Sequence, residues 1–330
     1  MKIIAYETRQ DEQAYFDKIK EDLGINVFNV CDILSEENVH LTRNVYGISV
    51  LGHSKIDIHM IDALAANGVK HISSRTIGLN HIDLAYARKK GLIVTNSSYQ
   101  PDGVAEYTIM MMLMSLRKYK QAMFRGNVND YSLTGLSGRE IKHCTVGVVG
   151  TGSIGTAVIY LLQAFGCKVL ACSPTLGRKP ELEPYAQFVD LETLYRESDI
   201  ITLHIPLAEN TRHIINEESF KIMKDGVVII NCSRGELIEI NALIDNIENS
   251  KISSLALDVF EDESEIYHHD RRLDIIANRN MAYLRQFPNV VMTQHLAFYT
   301  ENATKNMVTG SLSSFVKEIE QHQLLVRIEC

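Results

Sequence analysis

Three polar residues that could do chemistry, Arg234, Glu263 and His295, each follow an apolar run of strand-like character. A fixed guanidinium can hold a carboxylate and a carbonyl oxygen that gains negative charge, an imidazole can supply a proton, and a carboxylate beside the imidazole favours its charged form. Open α/β sheets bind their ligands beyond the carboxyl ends of their strands, which is where these residues fall. Taken singly, Arg and Glu at a loop start are usually solvated, and one His among twelve is usually structural. Their meaning therefore depends on what else the sequence places at that edge.

A glycine-rich turn provides a second element of this chemistry. Gly150, Gly152 and Gly155 have the G-x-G-x-x-G spacing, directly after the apolar run 146–149 and before a helical pattern over 157–165. The first glycine permits the tight bend, the second lets a pyrophosphate approach the backbone, and the third lets helix and strand pack closely, while amides at the helix start face the phosphates. Between a strand and a helix this spacing predicts dinucleotide binding rather than an ordinary turn. The expected contacts of this turn are Gly152, Ser153 and Ile154.

Together, a dinucleotide site and the three polar residues predict hydride transfer. A hydride that leaves a nicotinamide for a 2-keto acid builds negative charge on the carbonyl oxygen, which Arg234 can bind together with the substrate carboxylate. His295 supplies the proton, and Glu263 orients the imidazole and favours its charged form. The predicted reaction is therefore a nicotinamide-dependent reduction of a 2-keto acid.

The residue after the second strand of this unit bears on the choice of cofactor. Enzymes of this fold that prefer NAD place an acidic residue about 20 positions beyond the glycine turn, where it binds the ribose 2′-hydroxyl. Ser173 occupies that place, and Arg178 and Lys179 follow in the same loop. An uncharged hydroxyl and nearby cations favour NADP(H) over NAD(H). The alternative is that both cations point to solvent and NAD(H) is accepted through its pyrophosphate.

Alternating strand-like and helix-like patterns surround these residues and predict two doubly wound α/β domains with parallel sheets. In the first hundred residues, strands are predicted over 2–5, 25–28, 47–51, 72–74 and 92–94, and helices over 12–23, 56–66 and 84–90. In the second domain six strands are predicted, over 146–149, 168–171, 200–204, 227–231, 254–258 and 290–293.

The order of these patterns predicts that one domain is inserted into the other. A long apolar helix over 104–116 and a polar stretch over 125–140 lead from the first alternation into the second. A helical pattern through Met307, Leu312, Phe315 and Ile319 is expected to pack back on the first domain. The predicted layout is a flavodoxin-like substrate domain over 1–99 and 300–330, with a Rossmann cofactor domain over 100–299.

Composition limits the class of protein. A chain of 330 residues with 45% hydrophobic and 22% charged residues can bury a large core, and a net charge of −8 with only short basic clusters argues against a nucleic-acid partner. The N-terminal apolar run 3–6 is too short for a signal peptide, and the run 107–116 is too short to span a bilayer. Six cysteines without a C-x-x-C pair indicate neither a zinc site nor a disulfide framework. We therefore expect a cytoplasmic protein that acts on a small molecule, with no membrane partner and no metal.

The chain resembles the D-2-hydroxyacid dehydrogenase family, and most closely its D-lactate dehydrogenase branch, which includes the enzymes of glycopeptide-resistance operons. The resemblance covers essentially the whole length, and it is carried by several motifs in register besides the glycine turn. These motifs are S-S-R-T-I-G-L-N-H-I-D at 73–83, Y-Q-P-D-G-V-A-E-Y-T at 99–108, H-I-P-L at 204–207, N-C-S-R-G at 231–235, A-L-D-V-F-E-D-E at 256–263 and H-L-A-F-Y-T at 295–300.

The resemblance implies roles for individual residues. Arg234, Glu263 and His295 take the family's catalytic places. The amides of Ile77 and Gly78 would hold the substrate carboxylate with Tyr99 closing over it, although Ile77 and Tyr99 could simply be packed. On the cofactor, Asp258, Cys232 and Ser233 would flank the nicotinamide end, and Ile205, Pro206 and Thr211 would line the adenosine side. The alternative for Asp258 is a helix cap. The side chains opposite the keto acid would be Leu51, His53, Phe298 and Tyr299.

Two features leave the function open within this resemblance. The family usually has proline before the catalytic histidine, whereas this chain has Gln294, which puts the rigidity of that loop in question. The preferred substrate could be pyruvate, giving D-lactate, or a larger branched or aromatic 2-keto acid. A different class of function is a cofactor-sensing regulator of the same fold, as in the C-terminal-binding-protein corepressors. The apolar helix over 104–116 suggests a homodimer, although it could be plain core.

Overall fold

The computed structural model describes residues 1–173, 177, 179–263 and 266–328, with side chains described as far as residue 317. The chain forms two compact units. The first comprises Met1–Gln100 and Tyr299–Cys330, and the second comprises Pro101–Phe298. Within the described residues, no helix combines the length and apolar character that a bilayer crossing requires.

Helices and strands alternate along both units. The first unit contains β1 (Lys2–Ala5), α1 (Gln13–Leu23), β2 (Asn26–Asn29), β3 (Gly47–Val50), α2 (Ile58–Ala66), β4 (His71–Ser74), α3 (Leu84–Lys89) and β5 (Ile93–Asn96). The second unit contains α4 (Asp102–Leu116), α5 (Tyr119–Asn127), β6 (Thr145–Val149), α6 (Ser153–Gln163), β7 (Lys168–Cys172), β8 (Gln187–Phe188), α7 (Leu191–Glu197), β9 (Ile200–Leu203), α8 (Glu217–Ile222), β10 (Val227–Asn231), α9 (Ile240–Glu248), β11 (Ile252–Leu257), α10 (Arg279–Gln286) and β12 (Val290–Met292). The last helix, α11 (Glu301–Ile328), returns to the first unit.

The first unit is built on a five-stranded parallel sheet with the order β2-β1-β3-β4-β5. This is the flavodoxin-like order, which confirms the predicted fold class. Successive side chains of a strand point to opposite faces, so Ile4 joins one buried cluster and Ile3 the other. The cluster that contains Ile3 also contains Phe16 of α1 and Leu312 and Phe315 of α11. The last helix therefore covers one face of this sheet.

The second unit is built on a seven-stranded parallel sheet with the order β12-β11-β10-β9-β6-β7-β8. The prediction of six strands is wrong by one, because β8 has two residues, too few to produce a periodic pattern, and pairs with β7 at the edge of the sheet. The strand β6 lies between β7 and β9, so the strand order reverses beside it. A reversal of this kind opens a crevice at the carboxyl edge, where doubly wound sheets bind ligands.

The apolar helix for which the sequence leaves a dimer contact or plain core open, α4, is part of the core of the second unit. It packs against α6, β10 and β11. Its buried side chains include Ile109, Met111 and Met112, and Met110 alone among its large apolar residues is counted as exposed in the described structure. Exposed apolar side chains lie instead on α5 and the segment after it, at Met123, Phe124, Val128, Tyr131 and Leu133.

Candidate active site

The carboxyl edge of the second sheet carries all three predicted catalytic residues. The strands β10, β11 and β12 are parallel neighbours, and Arg234, Glu263 and His295 follow them in that order. The glycine turn follows β6 at the same edge. Because parallel strands end on one side of a sheet, the fold gathers at one edge groups that are far apart in the sequence.

His295 and Glu263 form a hydrogen-bonded pair. Nδ1 of the imidazole lies 2.5 Å from Oε1 of the carboxylate, and Oε2 accepts a hydrogen bond of 2.6 Å from the amide of Phe260. An ionised carboxylate can only accept, so Nδ1 carries a proton in this pair. The His295 and Glu263 side chains are 28% and 21% exposed, which leaves Nε2 as the ring nitrogen that can serve a substrate.

Asp258, directly after β11, is hydrogen-bonded to the loop that carries His295. It is completely buried. Its carboxylate accepts hydrogen bonds from the hydroxyl of Thr293 at 2.6 Å and from the amides of Leu296 and Ala297 at 2.8 Å each. Its backbone carbonyl accepts the amide of His295 at 2.7 Å. Asp258 therefore binds a loop, and within the described residues it caps no helix.

Arg234 lies in a tight turn after β10. The amide nitrogen of the Asn231 side chain donates to the Arg234 carbonyl at 2.8 Å, and the side-chain oxygen of Asn231 accepts the amide of Ser233 at 2.9 Å. Nη1 of Arg234 donates to the Ser233 carbonyl at 2.7 Å. A guanidinium has five N–H donors, and within the described residues this bond is the only one that the Arg234 guanidinium makes. The remaining donors suit a carboxylate or a developing oxyanion.

Gly235 brings the turn of Arg234 against the segment that leads to Glu263. A side chain at position 235 would collide with the backbone of Phe260 and Glu261. Phe260 is the residue whose amide holds the carboxylate of Glu263. The close approach at Gly235 therefore couples the placement of the guanidinium to the placement of the carboxylate.

The glycine turn has the shape of a dinucleotide cradle. Gly150 has a φ of +100°, and a side chain there would collide with the carbonyl of His204. A side chain at Gly155 would collide with the carbonyl of Gly150, whereas the space beside Gly152 is open. Within the described residues no side chain caps α6, so the amides of its first turn are available to phosphates. That turn contains the predicted contacts Ser153 and Ile154. These residues fit a dinucleotide.

The loop after β9 contains the residues predicted for the adenosine side. Ile205 is buried, and its carbonyl accepts the hydroxyl of Ser233 at 2.7 Å. The Thr211 hydroxyl donates to the Pro206 carbonyl at 2.7 Å and accepts the amide of Ala208 at 2.8 Å. Thr211 is therefore engaged in shaping its own loop, while Pro206 is exposed.

The region predicted to choose between cofactors is described in part. Ser173 directly follows β7, and its hydroxyl is buried and has no hydrogen-bond partner within the described structure. Nζ of Lys179 lies 3.5 Å from the hydroxyl of Thr156 in α6, the helix that follows the glycine turn. Arg178 lies outside the described residues. In the described part of this region, the hydroxyl of Ser173 is therefore unpaired at the end of β7, and Lys179 approaches α6.

Cys232 is a buried, neutral thiol. Burial raises the pKa of the Cys232 thiol, and the negative charge of Asp258 raises it further, whereas the hydrogen bond with Thr108 acts in the opposite direction. A thiol becomes a nucleophile or a metal ligand only as the thiolate, so the neutral thiol of Cys232 serves as neither.

The residues predicted for the substrate carboxylate lie in the first unit, after β4. The carbonyl of Ile77 accepts the side-chain amide of Asn96 at 2.8 Å, and the carbonyl of Gly78 accepts the hydroxyl of Thr76 at 2.6 Å. Among the described residues the amides of Ile77 and Gly78 have no protein acceptor. Consecutive free amides in a fixed turn suit an anion. Tyr99 lies half-buried between β5 and α4.

The side chains predicted to face the keto acid are divided between the two units. In the second unit, the ring of Phe298 lies 6.0 Å from the ring of His295. In the first unit, Leu51 is buried, His53 is half-buried, and Tyr299 is 47% exposed with the guanidinium of Arg9 5.1 Å from its ring. The structure therefore brings Phe298 to the imidazole.

Arg75 is a buried charge to which the sequence patterns assign no role. It is completely buried, and it donates to Glu12 at 3.1 Å, to the hydroxyl of Ser49 at 2.9 Å and to the carbonyl of Tyr6 at 2.8 Å. These bonds anchor the start of the segment that carries the free amides of 77 and 78. The available signal was an arginine directly after a strand of small and apolar residues, where a charge must find partners.

His268 was also missed. Its Nε2 lies 3.3 Å from the carbonyl oxygen of His295, and the two ring centroids are 6.1 Å apart. The available signal was the sequence Y-H-H-D at 267–270, a few residues after Glu263. A second imidazole therefore contacts the backbone of the candidate proton donor.

The comparisons with known proteins agree with this geometry. The model of the family described as "D-isomer specific 2-hydroxyacid dehydrogenase, NAD binding domain" matches residues 109–297. The chain is 38% identical to the aromatic 2-oxoacid reductase of Clostridium sporogenes over 94% of both chains, and 36% identical to the D-lactate dehydrogenase of Lactiplantibacillus plantarum over 97% of both. A solved structure of a D-2-hydroxyisocaproate dehydrogenase superimposes with a TM-score of 0.87 at 33% identity over 98% of both chains.

The matched residues include the glycine turn and the loops that carry Arg234, Glu263 and His295. The relatives named here are matched over nearly their full length, so the likeness extends to the first unit. The chain carries an NAD binding domain, and it belongs to the D-isomer specific 2-hydroxyacid dehydrogenase family.

Proposed function

We propose that this protein reduces a 2-keto acid to a D-2-hydroxy acid with a reduced nicotinamide cofactor, and that pyruvate is converted to D-lactate. The observation that carries the proposal is the 2.5 Å pairing of His295 with Glu263 at the sheet edge that also bears Arg234 and the glycine turn. Relatives named D-lactate dehydrogenase support the choice of pyruvate. The handedness of the product rests on the family.

The proposed mechanism uses the described side chains as follows. Arg234 binds the keto acid through its free N–H donors, and its charge stabilises the carbonyl oxygen as that oxygen becomes negative. The proton on Nε2 of His295 moves to that oxygen, and Glu263 stabilises the ring through Nδ1. The glycine turn would hold the pyrophosphate of a reduced nicotinamide cofactor, which would supply the hydride to the carbonyl carbon.

We assign the first unit to the substrate and the second to the cofactor. The amides of Ile77 and Gly78 are proposed for the substrate carboxylate, which their lack of a protein acceptor within the described chain supports. Gly152, Ser153 and Ile154 are proposed for the pyrophosphate, which the open space beside Gly152 supports. Among the described residues, Oδ1 of Asp258 accepts two hydrogen bonds and Oδ2 accepts one, so one acceptor position is left, and we propose it for the carboxamide of the cofactor.

The cofactor preference that we propose is NADP(H) over NAD(H). The support is the unpaired, uncharged hydroxyl of Ser173 where an acidic residue would repel a 2′-phosphate, together with Lys179 on the same loop. The matching family model is described as NAD binding, so NAD(H) is the competing cofactor.

A second candidate is the reduction of a larger 2-keto acid. It is favoured by the likeness to an aromatic 2-oxoacid reductase and to a D-2-hydroxyisocaproate dehydrogenase. Phe298, whose ring lies beside the imidazole of His295, is an apolar surface that an aromatic or branched substrate could contact.

We also propose a homodimer in the cytoplasm. The exposed apolar side chains on α5 and the segment after it support a contact between copies, because such a patch is rarely left in water. Light scattering measures the mass directly. A particle of twice the chain mass supports the dimer, and a monomer at micromolar concentration contradicts it.

The experiment that tests the proposed function measures the loss of reduced-nicotinamide absorbance with pyruvate, 2-ketoisocaproate and phenylpyruvate, each with NADPH and with NADH. We expect the wild type to turn over pyruvate with NADPH at least as well as with NADH. We expect His295→Gln to abolish turnover, and Ser173→Asp to shift the cofactor preference toward NADH. A wild-type preference for NADH of about tenfold, or about 1.4 kcal/mol, contradicts the cofactor proposal. Tight cofactor binding without turnover of any 2-keto acid contradicts the enzyme and supports the regulator.

A further inference from the structure

The loop that carries His295 is bound to Asp258 at both of its ends. On the near side, the hydroxyl of Thr293 donates to Oδ1 at 2.6 Å. On the far side, the amide of Leu296 donates to Oδ1 and the amide of Ala297 donates to Oδ2, both at 2.8 Å. The carboxylate is completely buried, so no water competes for these bonds. A single side chain therefore spans the segment 293–297.

The backbone of this loop needs such a restraint. His295 has a φ of +56°, a left-handed conformation that is disfavoured for residues with a Cβ. Its neighbour Gln294 is exposed, and within the described structure the amide of Gln294 makes no hydrogen bond. The residue before the imidazole therefore contributes little to holding this conformation. The hydrogen bonds to Asp258 come from residues on both sides of His295.

We propose that Asp258 is a positioning residue for His295, which holds the loop 293–297 in the left-handed conformation that places Nδ1 of the imidazole on Glu263. The carboxylate acts through the backbone and the Thr293 hydroxyl, since no contact joins it to the imidazole ring in the described structure. The consequence for catalysis rests on the proposed role of His295 as proton donor. The positioning itself does not depend on that role.

The first test is Asp258→Asn, which keeps the shape of the side chain but replaces one acceptor oxygen with an N–H donor. At least one backbone amide of the loop then faces another donor, so the loop loses a bond and gains a repulsive contact. We expect kcat/KM to fall about 100-fold, the cost of a displaced catalytic group. In proton NMR, the Nδ1 proton of His295 should give a downfield resonance in the wild type, because the bond to Glu263 is short, and that resonance should vanish in the variant.

The matched control is Asp199→Asn at the opposite edge of the same sheet. Asp199 also accepts a backbone amide, that of Thr145 at 2.7 Å, and an amine, that of Lys224 at 3.1 Å. This change should lower stability yet leave the downfield resonance in place. Should Asp258→Asn fail to fold, Thr293→Val removes one of the three bonds to the carboxylate and should weaken the resonance and kcat/KM in the same direction.

Rescue by a second substitution separates positioning from a general loss of structure. Proline at position 294 would fix φ near −65°, and the position accepts it because the amide of Gln294 makes no bond and its φ is not positive. We expect Gln294→Pro to restore kcat/KM at least tenfold in the Asp258→Asn background, together with the resonance.

The proposal is overturned if Asp258→Asn retains the downfield resonance, or if it weakens only cofactor binding and gains nothing from Gln294→Pro. The second result would make Asp258 a nicotinamide contact alone. If the wild type shows the resonance but reduces no 2-keto acid, the proposed function has failed, and the resonance in the two variants still decides the positioning role.

Discussion

At the scale of single residues, the chemistry depends on which ring nitrogen of His295 is hydrogen-bonded to Glu263 and which one can face the substrate. Glu263 takes Nδ1 at 2.5 Å, and its second oxygen is fixed by the amide of Phe260, so the carboxylate cannot rotate freely. The guanidinium of Arg234 makes only one hydrogen bond within the described residues, which leaves its other N–H donors available. The imidazole of His295 is therefore oriented by Glu263, whereas the guanidinium of Arg234 is available to bind a ligand.

Replacing Arg234 with lysine tests that open fork. A compact ammonium cannot reproduce the planar, bidentate grip of a guanidinium on a carboxylate and carbonyl oxygen. We expect Arg234→Lys to lose most turnover with pyruvate while cofactor binding, followed by fluorescence titration, is unchanged. A loss smaller than about tenfold, or about 1.4 kcal/mol in the barrier, would show that Arg234 does not bind the keto acid.

Replacing Glu263 with glutamine tests the pairing with His295. The amide keeps the size of the side chain but removes the charge that stabilises the imidazolium. We expect the alkaline limb of kcat/KM for 2-keto acid reduction to move to lower pH in Glu263→Gln. The same profile in Asp199→Asn provides the control for a remote carboxylate. An alkaline limb that stays in place would remove Glu263 from the mechanism, whatever the rate.

At the scale of elements, the site depends on how closely the loops after β10 and β11 approach. Gly235 makes that approach possible, since any Cβ would strike the backbone of Phe260 and Glu261. In Gly235→Ala we expect that backbone to move and take the amide of Phe260 away from Glu263, with a loss of stability of about 1 to 3 kcal/mol. Urea denaturation and kcat/KM measure the two effects.

The control for that change is Gly126→Ala in α5, where a Cβ meets nothing within 4 Å. It should leave kcat/KM unchanged and should slightly raise stability, because alanine is the better helix former. If Gly235→Ala behaves like Gly126→Ala, the loops after β10 and β11 are not coupled through this contact.

The sequence predicts helices and strands well where an apolar pattern extends over many residues, and poorly where the segment is too short to show one. Both predicted sheets are confirmed, because each strand of four or more residues produces a recognisable apolar pattern. The flavodoxin-like strand order of the first sheet is confirmed as well. The strand β8 was missed because two residues have no period. The chemistry of Arg234, Glu263 and His295 could be inferred because each falls just after a predicted strand.

Residues that act through tertiary contacts could not be assigned in this way. The partners of Arg75 are Glu12, Ser49 and the carbonyl of Tyr6, which lie far from it in the sequence. The resemblance assigns Asp258 to the cofactor, and its hydrogen bonds to the loop of His295 could not be predicted from the sequence. Such roles depend on which loops meet, and a single sequence does not contain that information.

At the scale of the whole molecule, stability should depend on pH through His71. This residue is completely buried, its Nε2 lies 2.7 Å from the hydroxyl of Thr95, and its ring lies 4.5 Å from that of Phe315 on α11. Burial lowers the pKa of His71 to about 4. The folded protein therefore keeps His71 neutral in a range where the unfolded chain binds a proton.

The sign of the effect follows from that difference. Above the unfolded pKa of about 6.5 the stability is complete, and it is lost as the pH falls toward 4, by roughly 2 kcal/mol between pH 7.5 and 5. We expect His71→Gln to flatten this slope in urea denaturation at pH 7.5 and 5. His204 adds a slope of its own, since burial lowers its pKa to about 3, so the difference between wild type and variant isolates His71. Equal slopes would contradict the assignment.

Direct transfer of hydrogen from the nicotinamide to the keto acid is the central claim, and an isotope label tests it. The reduced cofactor is deuterated at C4 of the nicotinamide on either face, and the product formed from pyruvate is analysed by mass spectrometry and chiral chromatography. We predict that one of the two labelled cofactors places deuterium at C2 of D-lactate and that His295→Gln forms none. Oxidation of the cofactor without labelled lactate, or label only in solvent, would contradict hydride transfer by this protein.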